Sequence, residues 1–247
     1  MMKKSIGFTL GEILIALSVI GVVASLVLPN LINGHKAGTA KAQFDTAYAM
    51  VAKAIVEMEV DNVSVEPASY TAAGSFYDKF KKYQRVTIDC GKYAATNDSV
   101  CISTTNTTTQ QGAYKRLDGG AFSSGKELHM LDDGCFVVNN GMLMCIENPA
   151  NYLYGLMVMV DINGKNKNPN KLGYDLFAFE LIKGGILLPL GAPGTGQQQT
   201  AKTLWGKDTA AVDSYCNKNA AKTWNGMTCA YKAATDEEYF KKLYQGH

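Results

Sequence analysis

The sequence lacks the residue sets on which common enzyme classes depend. It contains no G-x-S-x-G or H-E-x-x-H motif, and its three histidines, His35, His129 and His247, are far apart along the chain. An active site needs a nucleophile with its base, or several clustered metal ligands. We therefore expect a protein that is not an enzyme and has a structural or binding role.

The sequence also lacks an excess of charge of one sign. Lys and Arg together number 24, against 22 for Asp and Glu. This balance does not indicate a broad surface for nucleic acid or anionic lipid. Hydrophobic residues make up 47% of the 247 residues, enough for a packed core, so most of the chain is expected to fold.

Closely spaced cysteine pairs are absent as well, which excludes the C-x-x-C knuckles of common zinc sites. All six cysteines follow residue 89, and an even number is typical of a domain that folds in an oxidising compartment. Six cysteines allow 15 connectivities. Among them we favour the local pairs Cys90–Cys101, Cys135–Cys145 and Cys216–Cys229.

The most informative feature that is present is an apolar run, Phe8–Leu28, with Glu12 as its single charge. As a helix these 21 residues would be about 31 Å long, which spans a bilayer. Lys3 and Lys4 precede the run, so the positive-inside rule places the N-terminus in the cytoplasm and the rest across the membrane. The alternatives are an ordinary single-span anchor, a secretory signal peptide and a buried core helix.

Glu12 is the feature that these alternatives explain least well. A carboxylate costs about 2.5–3.5 kcal/mol near the middle of a membrane helix, and less near its end. A signal peptide is further disfavoured because the A-x-A sequence of Ala40–Ala42 lies more than ten residues beyond the apolar run. We expect a positively charged partner for Glu12.

The residues around Glu12, KKSIGFTLGEILIAL at positions 3–17, resemble the leader and mature N-terminus of type IV prepilins and type II secretion pseudopilins. In that family a prepilin peptidase cuts after the glycine and methylates the new N-terminus. The resemblance implies cleavage between Gly7 and Phe8, N-methylation of Phe8, and pairing of Glu12 with the Phe8 amine of a neighbouring subunit. Pro29 also resembles the family, because it stands at the position where the helix is usually kinked.

Beyond Pro29 the apolar positions recur at intervals of three and four, which predicts an amphipathic helix. The stripe is predicted to pack on the sheet of the same chain, and its residues are Phe44, Tyr48, Val51, Ile55 and Met58. The expected fold is α+β and pilin-like. It has a leader at 1–7, a kinked helix at 8–60 (membrane-spanning at 8–28, amphipathic at 30–60) and a head at 61–247. A separate helix after a loop at Asn30–Gly34 is the alternative.

Six short runs rich in branched or aromatic residues predict an antiparallel sheet in the head. They are Arg85–Cys90, Cys135–Val138, Met142–Ile146, Leu153–Asp161, Asp175–Ile182 and Ile186–Leu190. Between the second and third runs, Asn139-Asn140-Gly141 predicts a three-residue hairpin loop. That loop would place Cys135 opposite Cys145.

The oxygen-rich segment from Val160 to Phe177 resembles a recurrent hairpin of pilin-like heads, D-x-N-G followed by P-N-x-x-G-x-D. Asp161, Asn163 and Asp175, with loop carbonyls, are candidate ligands for calcium, which takes six to eight oxygens. No other cofactor is expected. We favour the alternative, a hairpin loop in which these side chains satisfy backbone turns.

Near the C-terminus, Cys216 and Cys229 would close a loop, and Asp236–Leu243 predicts a short helix. A disulfide-closed terminal loop of this kind also occurs in pilins. We favour a disulfide that stabilises a tail with little core of its own. A function in surface display, adhesion or contact between subunits is the alternative.

The resemblance implies a structural subunit of a type IV pilus or pilus-like filament, and the size of the head favours a minor subunit. A type II secretion pseudopilin and an adhesive or binding tip subunit are the alternatives. The implied partners are prepilin peptidase, an inner-membrane assembly platform and other pilin subunits, through helix packing. The chain would lie in the inner membrane with its head in the periplasm, and then in a periplasmic or cell-surface filament.

Overall fold

The computed structural model describes Gly7 and residues 9–92, 100–102, 114–122, 128–148, 155–196 and 209–245. These ranges form one long N-terminal helix, a six-stranded antiparallel sheet and several short helices. The second half of the long helix packs on one face of the sheet. This is the α+β layout that the sequence predicts.

Helix α1 runs from Leu10 to Val60 without a break. Its 51 residues correspond to a rod about 77 Å long. Pro29 lies inside the helix, although proline removes one helical hydrogen bond. Because the helix also continues through residues 30–34, the alternative of a separate helix after a loop is wrong.

The second half of α1 is the part that is buried. Its buried residues recur every three or four positions and are Ala37, Ala40, Phe44, Ala47, Val51, Ala54, Ile55 and Met58. The Phe44 ring lies 4.9 Å from the ring of Phe177 and 5.7 Å from that of Phe179, measured between centroids. The stripe therefore packs on the sheet of the same chain, as predicted.

The sheet is a meander in which each strand pairs with the next along the chain. Its strands are β1 (Val86–Gly91), β2 (Cys135–Val138), β3 (Leu143–Glu147), β4 (Leu156–Asp161), β5 (Leu176–Ile182) and β6 (Ile186–Pro189). All six predicted strands are present, with ends that differ by a few residues. Leu153 and Tyr154, in the predicted fourth strand, lie outside the described residues.

The β2–β3 hairpin has the predicted register, with Cys135 opposite Cys145. Gly141 closes the turn at φ 87°, a conformation that costs glycine little because it has no Cβ. Cys135 and Cys145 form a disulfide, and the other two bonds are Cys90–Cys101 and Cys216–Cys229. These are the three local pairs favoured from the sequence.

The two faces of the sheet are covered by different parts of the chain. Residues such as Phe136, Val158 and Phe179 face α1, whereas their neighbours in sequence form a second cluster on the opposite face. We call this opposite side the outer face. It holds Cys135, Cys145, Met157, Met159 and Ala178 and is covered in part by residues in the ranges 114–122 and 130–131.

The short helices are α2 (Ser75–Phe80), α3 (Thr209–Tyr215), α4 (Cys229–Thr235) and α5 (Tyr239–Gln245). The last is the predicted C-terminal helix. It starts later than expected, because a turn precedes it in which the N–H of Tyr239 donates to the backbone carbonyl of Asp236. Phe240 and Leu243 are buried, and the Phe240 ring packs 5.9 Å from that of Phe44. The expectation of a tail with little core of its own is wrong.

Candidate functional site

The first half of α1 leaves its apolar side chains exposed. Large apolar residues from Leu10 to Ile32 face solvent, and none of the most apolar 18-residue window is buried. Within the described ranges, α1 is the one helix that is long and apolar enough to cross a membrane. A core helix would be covered by protein, so that alternative is wrong for this segment. An apolar surface of this extent needs a membrane or other proteins to cover it.

Glu12 lies in the first turn of this exposed segment and forms a capping box with Thr9. The Glu12 carboxylate accepts a hydrogen bond from the Thr9 backbone N–H at 2.8 Å and another from the Thr9 hydroxyl. The Thr9 hydroxyl in turn accepts the backbone N–H of Glu12 at 3.2 Å. The box satisfies donors at the start of the helix but supplies no positive charge. Sequence reasoning missed it, although the T-x-x-E spacing is its signature.

The other predicted assembly residues are spread along the N-terminal segment. Gly7 is exposed. In the described part of the chain, no atom beyond its chain neighbours lies within 4 Å of the position that a Cβ atom would take at Gly7. Phe8, the predicted cleavage and methylation residue, lies outside the described residues. Pro29 is 17 positions beyond Glu12, about 26 Å along the helix, so the two residues do not form one site.

The predicted calcium ligands Asp161 and Asp175 lie together at the ends of β4 and β5, and both are buried. Asp161 Oδ1 accepts the backbone N–H groups of Asn163 and Gly164, at 3.2 and 2.9 Å. The second Asp161 oxygen accepts the hydroxyl hydrogen of Tyr114. Burial and the neighbouring Asp175 raise the pKa of Asp161 to about 7.

Asp175 is surrounded by donors in the same way. Its two oxygens accept the backbone N–H groups of Asn170, at 2.7 Å, and Lys171, at 2.5 Å. Asn163 directs its amide nitrogen, not its oxygen, towards Asp175 at 3.5 Å. Burial raises the pKa of Asp175 to about 6.

This loop fits the turn interpretation better than a calcium site. All four carboxylate oxygens of Asp161 and Asp175 already accept hydrogen bonds from N–H or O–H groups. The amide oxygens of Asn163 and Asn170 are buried without hydrogen-bond partners, so they are the oxygens that a cation could use without competing with an existing hydrogen bond. Calcium binding by Asp161, Asn163 and Asp175 stays a prediction, and no functional step is derived from it.

Three buried carboxyl groups were missed by sequence reasoning. Asp133, Glu147 and Glu180 are each 5% exposed or less, and one oxygen of Glu147 and one of Glu180 have no hydrogen-bond partner. Glu180 lies in β5 on the outer face and has apolar residues on either side of it in the sequence. This pattern made its position in a strand predictable. Its burial was not, because the covering segments are distant in sequence.

No family model, no curated protein and no solved structure matches this chain. Three features of the chain itself bear on its function: the exposed apolar helix, the single carboxylate near its start and the disulfide-bonded head.

Proposed function

We propose that the chain is a structural subunit of a type IV pilus or pilus-like filament, made as a precursor and built into the filament through α1. The observation that carries the proposal is that one continuous helix joins a fully exposed apolar half to a half packed into the head. A head fixed rigidly to an uncovered apolar rod suits an assembly in which neighbouring rods cover one another. The prepilin-like residues at positions 3–17 support the same proposal.

The proposed sequence of events begins at the leader. Prepilin peptidase cuts between Gly7 and Phe8 and methylates the amine of Phe8. Residues 8–28 then hold the subunit in the inner membrane, with the head in the periplasm, where oxidising conditions allow its disulfides to form. An assembly platform in the inner membrane moves the subunit into the filament, where the α1 helices of other subunits replace lipid.

Glu12 is proposed to set the position of each subunit by pairing with the Phe8 amine of its neighbour. Leaving its charge unpaired in an apolar environment would cost about 2.5–3.5 kcal/mol near the middle of a span. The capping box with Thr9 lowers part of this cost by hydrogen bonding, but it does not neutralise the charge. The cap and the amine are therefore compatible, because one satisfies the helix end and the other balances the carboxylate.

The size of the head favours a minor subunit of such a filament. Residues 61–247 carry a six-stranded sheet and three disulfides, which is more than many repeating subunits have. A type II secretion pseudopilin has the same architecture and is the alternative within this proposal. An adhesive or binding role at the filament tip would have to lie in the head.

The experiment compares filament assembly by three variants of the full chain. Glu12→Ala is expected to remain in the membrane fraction but to lower the amount incorporated into sheared filaments by roughly 100-fold, the equivalent of the unpaired charge. Asp45→Ala is the matched control, because Asp45 is an exposed carboxylate on the same helix beyond the apolar segment. It should assemble like the wild type.

Thr9→Val separates the capping role from the charge-pairing role. This variant loses the hydroxyl of the capping box but keeps the Glu12 carboxylate. We expect it to assemble nearly normally. Normal filaments from Glu12→Ala would refute the pairing, and a Thr9→Val loss as large as that of Glu12→Ala would assign the role to the helix cap instead.

A further inference from the structure

Three carboxyl groups meet at the end of the β2–β3 hairpin, well away from the N-terminal segment. Asp132 and Asp133 lie between the short 3-10 helix Leu128–Leu131 and β2, and Glu147 is the last residue of β3. One carboxylate oxygen from each lies within 4.8 Å of the other two. Asp133 is 4% exposed and Glu147 is 5% exposed, whereas Asp132 is partly exposed.

The strand register explains why these groups meet. Cys135 is opposite Cys145, and the N–H of Ile146 donates to the carbonyl of Gly134 at 2.8 Å. When this antiparallel register is continued by two residues, from Cys135 back to Asp133 and from Cys145 on to Glu147, it sets Asp133 opposite Glu147. Like charges directly opposite each other on paired strands are destabilising, and burial adds to the cost. If Asp133 and Glu147 are both charged, a positive group must offset that cost for the hairpin to be stable.

Glu147 also has an oxygen with nothing to bind. Its Oε2 atom is buried without a hydrogen-bond partner, and the side chain is directed at Asp132 and Asp133. Asp133 differs, because it accepts the N–H of Asn148 at 2.8 Å. Burial and these two aspartates raise the pKa of Glu147 well above its usual range.

The lysine that acts on this cluster does not supply Glu147 with a partner. Burial raises the pKa of Asp133, and Lys92 offsets this only in part, because its Nζ atom lies 2.6 Å from an oxygen of Asp78. The Lys92 ammonium group therefore forms an ion pair with Asp78. One carboxylate oxygen of Glu147 lies beside those of the two aspartates, and its Oε2 atom has no hydrogen-bond partner.

The spacing of the three oxygens is compatible with one shared cation. Calcium binds oxygen at 2.3–2.6 Å, so two ligands on opposite sides of it are about 4.6–5.2 Å apart, and adjacent ligands are closer. Three oxygens within 4.8 Å of one another can therefore bind one calcium ion without moving apart. Magnesium requires near-ideal octahedral geometry and gives up its water reluctantly, which suits a mostly buried site less well.

The geometry points to a binding site for a divalent cation, calcium, formed by Asp132, Asp133 and Glu147. Water reaches the site past Asp132, which is partly exposed, and completes the six to eight oxygens that calcium takes. The site is on the outer face, on the same side as the Cys135–Cys145 disulfide. It is about 13 Å along β3 from the strand position paired with Asp161, so it is distinct from the loop discussed above.

The test measures thermal unfolding of the purified full-length protein in detergent, with its disulfides intact, in EDTA, calcium or magnesium. Calcium at 100 times its Kd is expected to raise the wild-type Tm by about 5–10 °C, and magnesium by less. Glu147→Gln removes one charge at constant shape. In EDTA this variant should unfold at or above the wild-type Tm, and calcium should not raise it. Asp132→Asn, at a partly exposed position, should lose most of the shift while folding normally.

Asp161→Asn is the matched control, because it alters a buried carboxyl group of the other candidate site. It should keep the calcium shift. No calcium effect on the wild type would overturn the inference and assign Glu147 a proton in place of a cation. A shift kept by Glu147→Gln but lost by Asp161→Asn would place the ion in the β4–β5 loop. A shift kept by both variants would indicate charge screening alone, and an equal shift with magnesium would contradict the preference for calcium.

Discussion

Glu180 should make the stability of the head depend on pH, and a single substitution should remove that dependence. This residue lies in the middle of β5, opposite Met157 and Leu188, and its side chain is 1% exposed. Its Oε2 atom accepts the N–H of Gly196 at 2.7 Å, whereas Oε1 is buried without a partner. One hydrogen bond is too little for a carboxylate removed from water.

Burial raises the pKa of Glu180 from 4.5 to about 7. The folded state therefore keeps this proton between pH 4.5 and 7, where the unfolded state releases it. Stability is fully present below pH 4.5 and is lost as pH rises towards 7. A shift of about 2.5 units corresponds to roughly 3.4 kcal/mol, of which about 2.5 kcal/mol falls between pH 5 and pH 8.

The assay is denaturant unfolding of wild type and Glu180→Gln in detergent, followed by near-ultraviolet circular dichroism at pH 5 and pH 8. Glutamine keeps an acceptor for Gly196 but does not ionise. Wild type should lose about 2.5 kcal/mol more than the variant between the two pH values. Asp161, Asp175 and Glu147 also titrate, but they are common to both proteins and cancel in the comparison. Equal pH dependence in the two proteins would refute the reasoning.

Two further predictions concern the packing of the head. Phe44→Ala should lower the free energy of unfolding by about 3–5 kcal/mol, because the ring is buried between α1 and the sheet, whereas exposed Val56→Ala should change it by about 0.5 kcal/mol or less. Replacing Cys135 and Cys145 together by alanine should cost roughly 3 kcal/mol, as expected for the short loop that the bond closes. Both effects are measured by the same unfolding assay, and a Phe44→Ala change as small as that of Val56→Ala, or an unchanged stability of the double cysteine variant, would contradict them.

Local patterns in the sequence predicted most of the fold. The runs of branched and aromatic residues identified all six strands, because strand preference acts over a few residues. Asn139-Asn140-Gly141 predicted the hairpin register, since the loop length fixes which residues are opposite. The spacing from Phe44 to Met58 predicted the buried face of α1.

Features that depend on distant contacts were not predictable in this way. The burial of Phe240 against Phe44 requires the C-terminal helix to return to α1, which no local pattern specifies. Asp133 and Glu147 come together only once β2 and β3 pair, and they are buried by segments elsewhere in the chain. Both charged residues are also common at surfaces, so their sequence gives no warning of burial.

The candidate site was also predictable from the sequence only in part. The identity and spacing of Gly7, Phe8 and Glu12 are properties of the sequence, whereas the exposure of the whole first half of α1 became evident from the structure. For Asp161 and Asp175 the sequence indicated oxygen-rich ligands, but it did not reveal that backbone N–H groups already occupy them.

The most direct test of the proposed function is the N-terminal peptide of the protein recovered from sheared filaments, determined by mass spectrometry. The proposal predicts a chain that begins at Phe8 and carries one methyl group on its amine, with residues 1–7 absent. A filament fraction that contains the chain with its leader intact, or a processed chain confined to the membrane and missing from filaments, would contradict the account.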